Sequence, residues 1–250
     1  MSYTLRLIGA IIVALFTVVT VGAASASHPG EPLPDHRTIS LLADAPSLQL
    51  HAMLMGTNMH IHGESIFDVF AKPFVADDGI SVRYDGFATF IQGESQFTYM
   101  LVDGAAYVVE SLGNDTTSVV TQTVRCLESL TPFDLIVSAL NNVKAVPRSL
   151  VDDEAIFCPS GPFFQTATPF GGVNFTFCPS TTSGFIAYGG DITMTVEYLE
   201  DPLRSITAPT LSDSSAHCPI VATPTAVTPI AAALLTGDAH AYTCSRREGC

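Results

Sequence analysis

Between residues 48 and 199 apolar and polar positions mostly alternate, the pattern of strands that bury one face. Ile80, Val82 and Tyr84 alternate with Ser81, Arg83 and Asp85. Ile192, Met194, Val196 and Tyr198 alternate with Asp191, Thr193, Thr195 and Glu197. Both segments predict half-buried strands with the first-named residues facing inward. Asp103-Gly104 separates the runs 97–102 and 105–112. This dipeptide predicts a tight hairpin, because both central residues of such a turn take positive φ, which Gly adopts freely and Asp more readily than most. Pro169 to Gly172 similarly divides a strand around Phe163 from one around Phe175. Ile61-His62-Gly63-Glu64-Ser65-Ile66-Phe67 is echoed by Ile91-Gln92-Gly93-Glu94-Ser95-Gln96-Phe97. The echo predicts one turn used twice.

One segment breaks the two-residue period. Thr131 suits a helix N-cap and Pro132 the first helical position, and Phe133, Ile136, Val137 and Leu140 fall on one face before Lys144. A helix over 131–144 is predicted, and its apolar stripe has the sheet as its large partner. A helical turn is expected around 39–45. Beyond Pro202 the patterning fades into Pro, Ala, Thr and Ser, which predicts a loose tail over 209–250 held by its cysteines. The fold class that results is mainly β. It is an antiparallel meander or half-barrel over 48–208, covered by one amphipathic helix and followed by a Pro/Thr/Ala-rich C-terminal tail.

The first 26 residues change the setting. Arg6 precedes an apolar run from Leu7 to Val21, and Ala24-Ser25-Ala26 offers small residues where a signal peptidase cuts. The reading is a signal peptide over 1–26, a leader over 27–47 and a secreted, extracellular product. No later apolar stretch is long enough to span a bilayer, so no stable membrane insertion is expected. Cys126, Cys158, Cys178, Cys218, Cys244 and Cys250 make an even set in an oxidising compartment and predict disulfides, with 15 connectivities open. Three of them lie in the patterned region and three in the tail, so full pairing requires a bridge from core to tail. Asn114-Asp115-Thr116 and Asn174-Phe175-Thr176 match the N-glycosylation pattern. The formal charge of −14 disfavours nucleic acid and anionic membranes as partners.

The element order resembles the lipoprotein-carrier (LolA-like) half-barrel superfamily. The points of similarity are the hairpin over 97–112, the helix over 131–144 and the closing strand over 191–199, within roughly 48–208. The resemblance implies acyl chains held between a curved sheet and helical elements. The residues themselves add support: a curved sheet under one helix encloses an apolar cavity unless large side chains fill it. Met53, Met55, Met59, Met100 and Met194 could line an adaptable pocket, against the alternative of ordinary core packing. A lipid or apolar small molecule would meet Ile80, Val82, Tyr84, Met194, Val196 and Tyr198, with the helix as movable cover. An extracellular protein partner is the alternative, and no cofactor is expected.

Two chemical readings compete with binding. Gly63-Glu64-Ser65, Gly113-Asn114-Asp115 and Asp238-Ala239-His240 resemble fragments of the GDSL-type esterases, which use serine with aspartate and histidine. Each departs from its motif, and the alternating strands and helices of that fold are missing, so the chain is read as non-catalytic with no catalytic residue. His60 and His62, two apart, would leave one face of a strand together and could chelate copper or zinc. Two ligands do not close a site, and no metal is expected.

Overall fold

The computed structural model describes residues 42–113, 121–130, 136–147, 156, 158, 163–166, 173–180 and 183–237. Alternation in the sequence becomes alternation in burial. In β1 (Leu48–Leu54) Leu48, Leu50 and Ala52 are buried while His51 and Met53 are exposed. In β2 (Ile66–Val75) Phe67, Val69 and Ala71 are buried between more exposed neighbours. These elements are followed by β3 (Ser81–Gln92), β4 (Ser95–Val102), β5 (Ala105–Leu112) and β6 (Thr121–Leu127). Next come a short helix α1 (Ile136–Asn141), then β7 (Val143–Val146), β8 (Phe163–Thr166), β9 (Thr176–Pro179), β10 (Gly184–Gly189) and β11 (Ile192–Tyr198). A two-residue strand β12 (Thr225–Ala226) and helix α2 (Pro229–Thr236) complete the described elements.

The strands form one antiparallel sheet that does not close into a barrel, in the order β6-β5-β4-β3-β2-β1-β11-β10-β9-β8-β7. It is two meanders joined where β1 pairs β11, with Leu50 opposite Val196. The buried residues of β1, β2, β3 and β8 to β11 join those of α1 and α2 in a single hydrophobic cluster, so the sheet wraps its inner face around both helices. The mainly β meander read from the sequence is therefore the fold observed.

The turns explain why this register holds. Asp103 and Gly104 take φ of 51° and 79° and put Val102 opposite Ala105, as the dipeptide predicts. The echoed motif is indeed a turn twice over: His62-Gly63 closes the Ile61–Glu64 bridge, and Gly93-Glu94 joins β3 to β4. The two turns also touch, because the backbone N–H of Ile91 donates to a Glu64 carboxylate oxygen at 3.2 Å.

Three expectations are corrected. The helix predicted to reach Lys144 stops at Asn141, and Lys144 lies in β7 opposite Gln165. Asn142 ends it by turning its side-chain amide back onto the Ser138 carbonyl at 2.9 Å, while Thr131, Pro132 and Phe133 lie outside the described residues. Cover by a single helix becomes cover by two. The third correction concerns the tail, whose described part is built into the fold rather than loose. Val221 and Ala222 donate to the Gly104 carbonyl at 2.8 and 3.1 Å, β12 pairs β3, and α2 is buried from Ala231 to Leu235. Cys126–Cys218 supplies the bridge from sheet to tail, and a second disulfide, Cys158–Cys178, lies within the sheet domain, each with Cα atoms 5.1 Å apart. Cys244, Cys250, Asn114 and the 1–26 segment lie outside the described residues. Among the described residues no helix is long and apolar enough to cross a membrane.

Candidate functional site

α2 is the element around which the inner face is arranged. Thr228 is its N-cap, accepting from the Ala231 N–H at 3.2 Å, Pro229 fills the first turn, and Gly237 at φ 75° closes the last by donating to the Ala233 carbonyl at 2.9 Å. Asn141, the last residue of α1, grips the approach to α2 from both sides. Its amide donates to the Ala226 carbonyl at 2.7 Å and its oxygen accepts from the Thr228 N–H at 2.8 Å. The helix itself offers mostly methyl groups, from Ala231, Ala232 and Ala233, with Leu234 and Leu235 beyond them.

Of the residues expected to line a binding face, five come together. Val82, Tyr84 and Val196 are buried members of the main cluster, and Met194 and Tyr198 pack against it. Three strand spacings, about 14 Å, separate β3 from β11 in the sheet, and residues of both share one core cluster with α2. Met194 stands between two small partners, Ala52 on β1 and Ala187 on β10. Ile80 does not join them: it precedes β3, where its carbonyl accepts from Val227 at 3.0 Å. Among the described residues the inner face is filled. A cleft bordered by Tyr84, Ile136, Val137, Ala222 and Thr225 holds about 20 Å³, room for one water.

Two phenols stand in this apolar setting. Tyr198 donates to the Leu234 carbonyl of α2 at 2.7 Å, satisfying a helix-end acceptor. The hydroxyl of Tyr84 is buried without a hydrogen-bond partner. Burial pushes the ionisation of both phenols far above the ordinary tyrosine range, and for Tyr84 the nearby Tyr198 adds to it. Both therefore remain protonated donors over the physiological range.

Further along the inner face, His62 lies on Phe97 with ring centroids 4.0 Å apart and planes 12° apart. With its Nδ1–H donating to Gln92 Oε1 at 3.0 Å, Nε2 is left to accept from the Tyr99 hydroxyl at 2.8 Å. Burial raises the Tyr99 phenol, with Arg125 opposing and Glu110 reinforcing the shift. The expected histidine pair is thus not formed on a strand: residues 55–65 are irregular apart from the Ile61–Glu64 bridge, and His62 sits in a turn at φ 52°. Among the described residues no group of three His, Cys, Asp or Glu is placed to hold a metal ion. Ser65 of the esterase-like fragments follows this same turn, and Asn114, Asp115, Asp238 and His240 lie outside the described residues.

Sequence reasoning missed α2 and Tyr198's bond to it, although Thr228-Pro229 and Gly237 bracket an apolar run in the manner of a capped helix. On the outer face Met53, Ile66 and Ile91 remain 38%, 49% and 64% exposed. Asn174 is exposed ahead of buried Phe175 and Thr176. Comparison of the chain with protein families, with curated proteins and with solved structures finds no match.

Proposed function

We propose that the chain is a secreted, non-catalytic protein that carries an apolar small molecule or lipid on the inner face of its sheet, in the place α2 takes. The observation that carries this reading is the nature of the present occupant, a short helix of alanines and two leucines anchored through its ends. The apolar areas involved are comparable. Two buried leucines and three alanine methyls contribute about 8 kcal/mol by area, and an acyl chain burying about ten methylenes contributes a similar amount. The carrier reading also agrees with the likeness of the element order to lipoprotein-carrier half-barrels. Export is supported by the two disulfides and the N-terminal apolar run, and we extend it to a glycan on exposed Asn174.

The test is saturable binding of a fluorescent long-chain lipid to the exported protein, together with mass spectrometry of its solvent extract. Met194→Glu, which places a carboxylate between Ala52 and Ala187, should abolish binding in a variant that circular dichroism shows to be folded. Absence of both co-purified lipid and saturable binding in the folded parent would refute the reading. That outcome would favour a second one, a protein-interaction factor, which draws on the exposed Met53, Ile66 and Ile91 of the outer face.

A further inference from the structure

We infer that the Arg204–Ser205 bond is a processing site for a trypsin-like serine protease, and that cutting it gives a two-chain protein whose α2-bearing part is kept on the sheet by Cys126–Cys218. The inference is independent of what the inner face carries. It starts from the course of the chain after β11. Leu199 and Leu203 donate their backbone N–H groups to the carbonyl and the hydroxyl of Ser47, at 2.8 and 3.0 Å, beside the start of β1. The next tie is at Ser212 on β6, where its N–H donates to the Val124 carbonyl at 3.3 Å and its hydroxyl accepts from the Val124 N–H at 2.8 Å. Strand spacing sets β6 about 24 Å from β1 along the sheet, a distance that the chain from Leu203 to Ser212 covers only when drawn out. Residues 202–211 accordingly form no helix, strand or turn, and 204–211 make no backbone hydrogen bond among the described residues.

A protease cleft takes several consecutive residues in extended form, so a bond within a sheet is cut only after its ladder opens, whereas this segment has no ladder to break. The other described cations are guarded in that way. Lys72 lies within β2 opposite Asp85, Arg125 in β6 opposite Val108, and Lys144 in β7 opposite Gln165. Arg83, in β3, is only 9% exposed and is tied to Asp85 and Asp103. Arg204 is exposed and has no ion pair among the described residues, which leaves its guanidinium free for the carboxylate at the base of a trypsin-like specificity pocket. Ser205 follows it rather than a proline, so the Arg204 carbonyl is open to attack. The protease serine takes the acyl group of Arg204 as the bond to the Ser205 nitrogen breaks, and water then releases it. Arg204 ends as a carboxylate and Ser205 as an ammonium group, with one water added in all.

The part beyond the cut stays in place. Ser212 remains bonded to β6, Ile220 bridges Ala105, the 221–222 amides donate to Gly104, β12 pairs β3, and α2 is buried from Ala231 to Leu235. Covalent continuity between α2 and the sheet passes from the backbone to Cys126–Cys218, because Cys158–Cys178 lies wholly on the earlier side of the cut. Folding of the cut protein is therefore unimolecular while Cys126–Cys218 is closed, and becomes dependent on protein concentration once that bridge is reduced.

The experiment is brief digestion of the full chain by trypsin, with disulfides intact, read by N-terminal sequencing and by gels run with and without reductant. A chain beginning at Ser205 should appear before any cut at Lys72, Arg83, Arg125 or Lys144. Without reductant it should migrate with the rest of the protein, and circular dichroism should keep the β signal of the uncut parent. Arg204→Gln should abolish this fragment. The thermal midpoint of the cut protein should not change with dilution while the disulfides are closed, and should fall by about 5–10 °C on hundredfold dilution in reductant. A first cut at any of those other cations with Arg204 intact, or the absence of a chain beginning at Ser205, would overturn the site. Loss of the β signal on cutting, a midpoint that falls on dilution without reductant, or one indifferent to dilution in reductant would overturn the two-chain state. The order of cuts is read on the unmodified protein, so it decides the site whether or not the variant folds.

Discussion

Replacing Gly104 with valine tests how firmly the far segment of the chain is tied to the sheet. Gly104 lies at φ 79° in the β4–β5 turn, where a β-branched residue is strained by about 1–2 kcal/mol. A Cβ added there would collide with the carbonyl oxygen of Ala222, which is backbone and cannot turn aside as a side chain would. The segment 221–222 must then lift away. With it go the two hydrogen bonds that Val221 and Ala222 donate to the Gly104 carbonyl, at 2.8 and 3.1 Å, about 1 kcal/mol each. The total is about 3–4 kcal/mol, which for a domain of this size lowers the thermal midpoint by on the order of 10 °C. Melting followed by circular dichroism, under non-reducing conditions, measures it. Gly104→Ala should show much of the same loss, because the first carbon makes the collision. A shift below about 2 °C for both variants would mean that the segment 221–222 is not held against the turn, and the reasoning would fail.

Two further outcomes are expected. Cys126→Ser combined with Cys218→Ser should destabilise the protein by up to about 4–5 kcal/mol, since that bridge closes a loop with a sequence separation of 92; equilibrium unfolding in denaturant reads the change. Alkaline titration should show stability falling once pH passes about 10. The native phenols of Tyr84 and Tyr198 hold their protons above the ordinary tyrosine range while the unfolded chain releases them, so stability is fully present below the unfolded pKa and is lost as pH rises above it. Thermal midpoints across that range, with Tyr84→Phe flattening the decline, check the sign.

What could be read from the sequence was local. The alternation at 192–198 and at 80–85 marked two strands of the inner face, and Asp103-Gly104 marked a hairpin whose positive φ angles are a property of those two residues alone. Lys144 was misplaced for a physical reason. Val143 stands seven residues after Ile136 and so continues a helical period as readily as it begins a strand, and the choice is made by Thr166, its distant partner on β8. α2 escaped because it is buried on all sides from Ala231 to Leu235 and so has no polar face to give it a period. Its caps, Thr228 and Gly237, were the signal that remained. At the candidate site the inward side chains of Val82, Tyr84, Val196 and Tyr198 were legible. Their meeting was not, because it depends on β1 pairing with β11 and on α2 joining the same core.

That pairing of β1 with β11 also sets an order of events as the chain is made. The six-strand meander β1 to β6 can assemble as soon as it has been made, yet one edge of β1 stays open until Tyr198 emerges, and α2 arrives later still. For that interval the nascent domain presents an unpaired strand edge and, without α2, an uncovered apolar face, the two features that promote association between chains. Folding of the chain therefore favours a holding chaperone that masks both until the last third of the chain is available, and yield from the cell should respond to chaperone supply as well as to the stability of the finished fold.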